Sequence, residues 1–359
     1  MGFRYIGSKT KILDKIIIKI YELVPQGSHV VDLMCGTATV SAALRNNGYR
    51  VTAIDIMTFS YHHARVALLL SAPPNFSNAT KFIQIYSKEE QKTLFSLSPY
   101  EKILQTLRNV PPEKGYFWQE FCIEGKPKFT QKPRNYFSPE NAKRIDAIRT
   151  WIKKLYLTKQ INDLEHSLLL HDLIQAANDV ANIAGTYGHY LSKLIGRASS
   201  LLELKPTVFN VHDNAIKHEV IKGYAEDLAP NITCDLCYID PPYMKRQYAA
   251  NYHILETIAR EDEPDAIGMS GLRPWRDQYS NFCTKTKSLN SFMKIITKMK
   301  CKEFLISYSE DGLLKIDELI NFFSKFGKVQ TSHFTNRRFK SNNSRLSEYL
   351  TEYLIHIKT

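Results

Sequence analysis

Val30-Val31-Asp32-Leu33-Met34, then Cys35-Gly36-Thr37-Ala38, then Val40-Ser41-Ala42-Ala43-Leu44-Arg45-Asn46 is the stretch that decides the fold. A short apolar run that ends in a loop of small residues reads as a buried strand. The loop opens a helix, which stops near Gly48. Arg50 to Ile54 is a second strand ending at Asp55, and Phe59 to Leu70 is a second crossover helix. Strand, helix, strand and helix in this order make a βαβ unit, and such a unit requires a parallel sheet. Just upstream, Asp14 to Leu23 carries its apolar residues on one helical face. The expected class is α/β, with a Rossmann-like sheet.

After Pro73-Pro74 the pattern changes. Residues 75–205 are mostly helical in periodicity and include a stretch rich in proline, lysine and aromatics from Pro111 to Phe137. Strands return at Val208 to Val211, ending at His212-Asp213-Asn214, and at Leu236 to Ile239. Further strands are expected at Glu303 to Tyr308, Lys328 to Thr335 and Glu348 to Ile357. The organisation implied is one catalytic domain from 1–74 and 206–359, interrupted by a helical insertion at 75–205.

The loop after Asp32 points to a ligand. Gly36 permits close backbone approach, and the helix N-terminus behind it favours electron-rich groups. Asp55 follows Asp32 by 23 residues, close to the roughly 20 expected for an acidic residue on a ribose. A dinucleotide fingerprint would need three glycines, and this loop has one. An aspartate directly before the loop would repel a pyrophosphate and suits a cation. S-adenosylmethionine carries an ammonium, a sulfonium and a ribose diol, which match Asp32 and Asp55. Asp213-Asn214, at another expected strand end, suits the adenine amine. Each carboxylate alone reads better as a helix cap; three on strand ends, with a fourth at Asp240, argue for a site.

That fourth carboxylate opens Asp240-Pro241-Pro242-Tyr243, directly after Leu236-Cys237-Tyr238-Ile239. Consecutive prolines fix φ and offer no N–H donors, and the residue before each is held extended. The tetrapeptide therefore presents two rigid acceptors, the Asp240 carboxylate and the Pro241 carbonyl, which suit an exocyclic amine. The Tyr243 ring is placed to stack on a planar base. At the carboxyl edge of an α/β sheet, this is where ligands bind.

Composition sets the outer bounds. The 359 residues are 43% hydrophobic and 23% charged, with a formal charge of +12. Those are globular values, and the basic balance suggests a polyanionic partner. Cysteines 35, 122, 234, 237, 283 and 301 lie too far apart for a disulfide framework. Cys234-x-x-Cys237 has no second pair to complete a metal site, and we read both as core thiols within a strand. No metal is expected. No signal peptide or membrane-spanning stretch is apparent, so a cytoplasmic protein is expected.

Four elements in this order resemble the Dam-like, alpha-group DNA adenine-N6 methyltransferases. Tyr5-Ile6-Gly7-Ser8-Lys9 looks like their N-terminal motif, Asp32 to Ala38 like their cofactor loop, and Asp240 to Tyr243 is similar to their catalytic tetrapeptide. Arg246-Gln247-Tyr248, Asn251-Tyr252-His253, Leu255-Glu256-Thr257 and the tail Arg338-Phe339-Lys340-Ser341-Asn342 to Glu348-Tyr349-Leu350 resemble a subgroup from restriction–modification systems. The resemblance covers residues 1–70 and 185–359 well and 75–180 poorly.

It implies an S-adenosylmethionine-dependent methyltransferase that acts on a flipped adenine in double-stranded DNA, with a cognate restriction endonuclease as a candidate partner. Asp240, Pro241, Pro242 and Tyr243 would be catalytic. Tyr5, Lys9, Asp32, Met34, Cys35, Gly36, Thr37, Asp55, Ile56, Asp213 and Asn214 would face the cofactor. Arg246, Gln247, Tyr248, Arg337, Arg338 and Lys340 would contact DNA. The insertion, with Lys114, Lys126, Lys128, Lys132 and Arg134 among Tyr116, Phe117, Trp118, Phe129 and Tyr136, would read the target. Met34 and Ala38 stand where the family usually has Phe and Gly; an alanine at 38 predicts a negative φ there. No Pro-Cys dipeptide is present, which excludes cytosine-C5 chemistry. Cytosine-N4 transfer, an RNA substrate and a nucleic-acid binder with a degenerate pocket stay as alternatives.

Overall fold

The computed structural model describes residues 3–86, 97–209, 216–337 and 347–359. Helix α1 (Leu13–Leu23) precedes strand β1 (His29–Leu33), helix α2 (Thr39–Asn46), strand β2 (Arg50–Asp55) and helix α3 (Thr58–Leu69). Strands β3 (Glu219–Lys222), β4 (Leu236–Ile239), β5 (Glu303–Ser309), β6 (Lys328–Arg337) and β7 (Tyr349–Lys358) complete the sheet. Among the described residues these seven strands lie in the order β3-β2-β1-β4-β5-β7-β6. The pairs from β3 through β5 are parallel, and β7 runs antiparallel to both β5 and β6.

Leu236, Cys237, Tyr238 and Ile239 are all fully buried, as are Val30, Val31 and Leu33. Continuous apolar runs of this kind suit strands covered on both faces. The strand order reverses between β1 and β4, so their carboxyl ends leave the sheet side by side. Asp32 stands opposite Tyr238 and Leu33 opposite Ile239. The small-residue loop and the double-proline turn thus emerge from neighbouring strand ends at a topological switch point.

Two strand expectations change. Val208 is 90% exposed and Thr207 to Phe209 are irregular; residues 210–215, with Asp213 and Asn214, lie outside the described residues. The strand is instead β3, which pairs on one side with β2. Cys234 precedes β4, next to a backbone bridge between Thr233 and Lys300, and its N donates to Lys300 O at 3.1 Å. Both Cys234 and Cys237 are buried free thiols.

The chain divides into two compact units. One comprises Gly7–Leu68, His212–Ala249 and Gln278–Thr359 and contains the sheet. Its core joins Leu33, Ile239, Phe292, Phe304, Ile306 and Ile355. The other comprises Met1–Ile6, Leu69–Val211 and Ala250–Asp277; residues 250–277 thus group with the helical segment rather than with the sheet.

In this second unit Ser138 caps the helix Pro139–Leu157, and Asn162 with Glu165 forms a capping box on the helix Asp163–Val180. Phe117, Phe121, Tyr136 and Phe137 are fully buried here. Of the aromatics expected at a nucleic-acid surface, Phe117 and Tyr136 are therefore core, while Tyr116 and Trp118 are half-buried. Phe129 is 45% exposed and carries Lys128 at 4.8 Å from its ring centroid. Arg134 is not a surface cation: it is wholly buried and ion-paired to Glu120 at 2.7 Å. Among the described residues no helix is long and apolar enough to cross a membrane.

Candidate active site

The loop after β1 is built by hydrogen bonds to β2. Met34 N and Cys35 N both donate to Ile54 O, at 2.8 and 2.9 Å. Gly36 N donates to Asp55 Oδ2 and Met57 N to Asp55 Oδ1, each at 2.8 Å. Each oxygen of the carboxylate expected on a ribose thus accepts one backbone amide. Ile56 O accepts from Gln278 Nε2 at 3.0 Å. Thr37 and Thr39 share a hydroxyl–hydroxyl bond of 2.9 Å.

The loop's backbone overturns one expectation. Ala38 has φ +59°, in the left-handed region, as do Met34 at +68° and Gly36 at +55°. A side chain in that region costs about 1–2 kcal/mol. The cost is offset because Ala38 N donates to Cys35 O at 2.8 Å and Ala42 N to Ala38 O at 2.9 Å, which closes the turn and opens α2. Strain held at a ligand loop in this way is a recurrent property of functional sites.

Asp32 is 1% exposed, and its Oδ2 accepts from Ser41 Oγ at 2.5 Å. Burial pushes its carboxyl up to about 7; the Ser41 bond opposes that, and the charges of Asp240 and Asp55 add to it. Three carboxylates share this edge of the sheet. Ser41 escaped the sequence reading, although a hydroxyl in the first turn of the helix that follows the loop was a usable signal.

At the end of β4 the Asp240 side chain is 19% exposed, but its Oδ1 is buried. Lys9 Nζ lies 3.0 Å from Oδ1 and 3.7 Å from Glu352 Oε2. No donor among the described residues is aligned for a hydrogen bond on either oxygen. Lys9 was expected at the cofactor's edge; its ammonium stands on Asp240 instead. Burial disfavours that ammonium, but Asp240, then Tyr243 and Glu352, override the effect and raise its pKa well above the usual lysine range. Burial raises the carboxyls of Asp240 and Glu352, against the pull of Lys9. Glu352, on β7, was not expected at the site.

Tyr243 packs its ring at 5.5 Å from that of Tyr308, and its carbonyl accepts from Leu313 N at 2.9 Å. Gly312 makes this close packing possible. A Cβ there would fall 2.2 Å from Tyr308 Cε1, and the Tyr308 ring cannot yield because its hydroxyl accepts from Leu314 N at 3.0 Å. Gly312→Ala is therefore expected to destabilise this unit by about 1–3 kcal/mol. Thermal unfolding would check it; an unchanged midpoint would mean that the Tyr308 ring relaxes freely.

Beyond the turn, Arg246 is exposed. Gln247 donates from Nε2 to Ser280 O at 2.9 Å and accepts at Oε1 from Ser280 N at 2.8 Å. That double bond to the backbone makes Gln247 a clamp for this loop rather than a free hand for DNA. Tyr248 Oη approaches Gly7, whose φ is +76°. Tyr5 belongs to the other unit, where its ring stacks on Tyr252 at 4.9 Å and Ile6 N donates to Tyr252 Oη. Arg337 ends β6 opposite Tyr349; Arg338 and Lys340 lie outside the described residues. Among the described residues no cluster of metal-ligating side chains is present.

A family model described as D12 class N6 adenine-specific DNA methyltransferase matches residues 5–322. Type II methyltransferase M.FokI of Planomicrobium okeanokoites is 34% identical over 99% of this chain and 52% of its own length. Type II methyltransferase M.NlaIII of Neisseria lactamica is 30% identical over 94% of this chain and 92% of its own. Modification methylase StsI of Streptococcus sanguinis is 30% identical, again over 99% of this chain and 52% of its own length. The chain thus spans about half of two of these relatives and nearly all of the third.

Proposed function

The chain belongs to the D12 class N6 adenine-specific DNA methyltransferases, and from that premise we propose that it methylates the N6 amine of a specific adenine in double-stranded DNA. The methyl donor in this reading is S-adenosylmethionine, and the protein is the modification half of a restriction–modification system. The observation that carries the reading is Asp240 Oδ1. It is a buried acceptor with no aligned donor, held at a strand end beside the Asp32 loop.

The residues fit the cofactor. Burial holds the Asp32 carboxyl up at about 7, with the charges of Asp240 and Asp55 adding to it, an arrangement that a cationic ligand relieves. Asp32 and the loop from Met34 through Thr37 would hold the amino acid end, with Asp55 and Ile56 at the ribose. When bound, S-adenosylmethionine supplies a methyl carbon on a sulfonium, a strong electrophile.

An adenine amine is a weak nucleophile because its lone pair is delocalised into the ring. Asp240 and the Pro241 carbonyl would accept the two N6 hydrogens and hold the nitrogen lone pair toward the methyl carbon. Most of the acceleration would then be positioning and electrostatics. The target cannot be reached inside a duplex, so the base must flip out. Pro242 keeps the turn rigid and Tyr243 would stack on the base. The proton lost from N6 would leave by way of Asp240. Exposed Arg246 suits a phosphate contact.

One consequence concerns pH. With its carboxyl at about 7, Asp32 is protonated in the free protein below that pH and must ionise to pair with a cation. Cofactor affinity is expected to rise by up to about tenfold per pH unit between 5 and 7 and then level off. Asp32→Asn should bind weakly with a flat profile. Calorimetric titration over this range checks both; a flat profile for the unaltered protein would refute the role of Asp32.

The experiment that tests the whole reading is nucleoside mass spectrometry on duplex DNA incubated with the protein and S-adenosylmethionine. N6-methyladenine is expected. N4-methylcytosine would keep the mechanism and change the base. Methylation confined to RNA would change the substrate, and none on either would leave a binding protein.

A further inference from the structure

Lys9 poses a problem for the chemistry just described. Its ammonium sits 3.0 Å from the oxygen that the adenine amine must reach. The ammonium is 95% buried together with its side chain and is held charged by the carboxylates around it, so it cannot simply lose its proton to clear the way. Nor can it be left without an anion in a buried site, because an unpaired buried charge is strongly unfavourable. The second anion within reach is Glu352, whose Oε2 lies 3.7 Å away, buried and with no donor aligned on it. Glu352 projects from β7, where it stands opposite Ser309 of β5 and Phe334 of β6. Strands on both sides therefore fix its backbone. The groups that face Lys9 are Asp240, Tyr243, Glu352 and Tyr238; Asp311 adds its charge to Glu352 and Tyr243.

We propose that Glu352 is a positioning residue that takes the Lys9 ammonium from Asp240 as the target amine docks. The inference rests on the reading of Asp240 as the amine acceptor. A displacement of about an ångström is enough, because a hydrogen bond needs a separation of about 2.8 Å and the gap is already 3.7 Å. The exchange keeps one cation between two carboxylates throughout. No bond to carbon is made or broken in it, and the proton stays on nitrogen. It frees Asp240 Oδ1 only when another donor is present, so the acceptor is never exposed as an uncompensated buried anion.

The test compares Glu352→Gln, Glu352→Asp and the double variant Lys9→Met with Glu352→Gln. Each is assayed by single-turnover methyl transfer on preformed complexes with duplex DNA and S-adenosylmethionine. Glu352→Gln removes the second anion and fixes Lys9 on Asp240. Its transfer rate should fall at least about tenfold, while its affinities for cofactor and DNA change less than about twofold. Glu352→Asp should recover most of the rate. Adding Lys9→Met to Glu352→Gln should also raise the rate, because it removes the ion that blocks Asp240 and restores the net charge of the cluster. A merely structural Glu352 would lose cofactor binding and rate together, and the added Lys9 change would make matters worse; that pattern would overturn the proposal. An unaltered rate in Glu352→Gln would overturn it as well. Absence of N6-methyladenine from the unaltered protein would instead bring down the reading of Asp240, and this inference with it.

Discussion

Replacing Asp240 by asparagine is expected to lower methyl transfer by about 10²–10³-fold or more, with little change in DNA affinity. The expectation follows from what the turn offers. Asp240 Oδ1 is buried with no aligned donor, and the prolines on its C-terminal side contribute no N–H that could substitute. An asparagine keeps the volume but loses the charge. Its amide carries two hydrogens, so one of its two ends would face the adenine amine donor to donor. The change also takes from Lys9 its nearer carboxylate, at 3.0 Å, and leaves Glu352 at 3.7 Å as its remaining ion pair. The fold should therefore survive, because the buried ammonium still has an anion. Asp240→Ala should be as inactive and somewhat less stable, since it adds a void. Rapid-quench transfer and fluorescence anisotropy on the same duplex separate rate from binding. Near-normal turnover in either variant would sink the acceptor role, and a parallel loss of DNA affinity would mean that Asp240 acts in binding.

The strands flanking the site could be read from the chain because their signals are local. Val30 to Leu33 and Leu236 to Ile239 are short apolar runs closed by a loop of small residues and by a double proline. β3 escaped the reading because Glu-Val-Ile-Lys is only four residues at the sheet's edge, exposed at both ends and half-buried between, with no period-2 pattern to read. The pairing of Lys9, Asp240 and Glu352 could not be read at all. These residues lie on the N-terminal segment, β4 and β7, and only the strand order β4-β5-β7 brings the last two near each other. The conformation of Ala38 was misjudged for a physical reason. Steric preference sets a prior of about 1–2 kcal/mol, and the hydrogen bonds that close the loop onto α2 exceed it. Within the aromatic and basic run from Pro111 to Phe137, the burial of Phe117, Arg134 and Tyr136 could not be foreseen, because spacing does not distinguish a stacking surface from a core.

A buried ion pair in the helical unit gives an expectation of similar size: Glu120→Ala should destabilise that unit by about 3–5 kcal/mol. Arg134 is wholly buried and Glu120 is 3% exposed. Arg134 Nη1 donates to Glu120 Oε2 at 2.7 Å and to Glu120 O at 3.1 Å. Its Nη2 donates to Ala266 O at 2.9 Å and to Gly268 O at 3.0 Å, which holds the 266–268 loop against the helix Tyr116–Phe121. Removal of the carboxylate leaves a buried guanidinium that cannot be deprotonated and has no anion. It also deprives Lys128 N of its acceptor, Glu120 Oε1, at 2.8 Å. Glu120→Gln keeps one acceptor oxygen for Arg134 Nη1 and should cost less, although its amide nitrogen then faces Lys128 N donor to donor. Urea unfolding followed by probes within this unit reads the difference. A loss below about 1 kcal/mol for Glu120→Ala would mean that water reaches Arg134, since exposed ion pairs are worth no more than that.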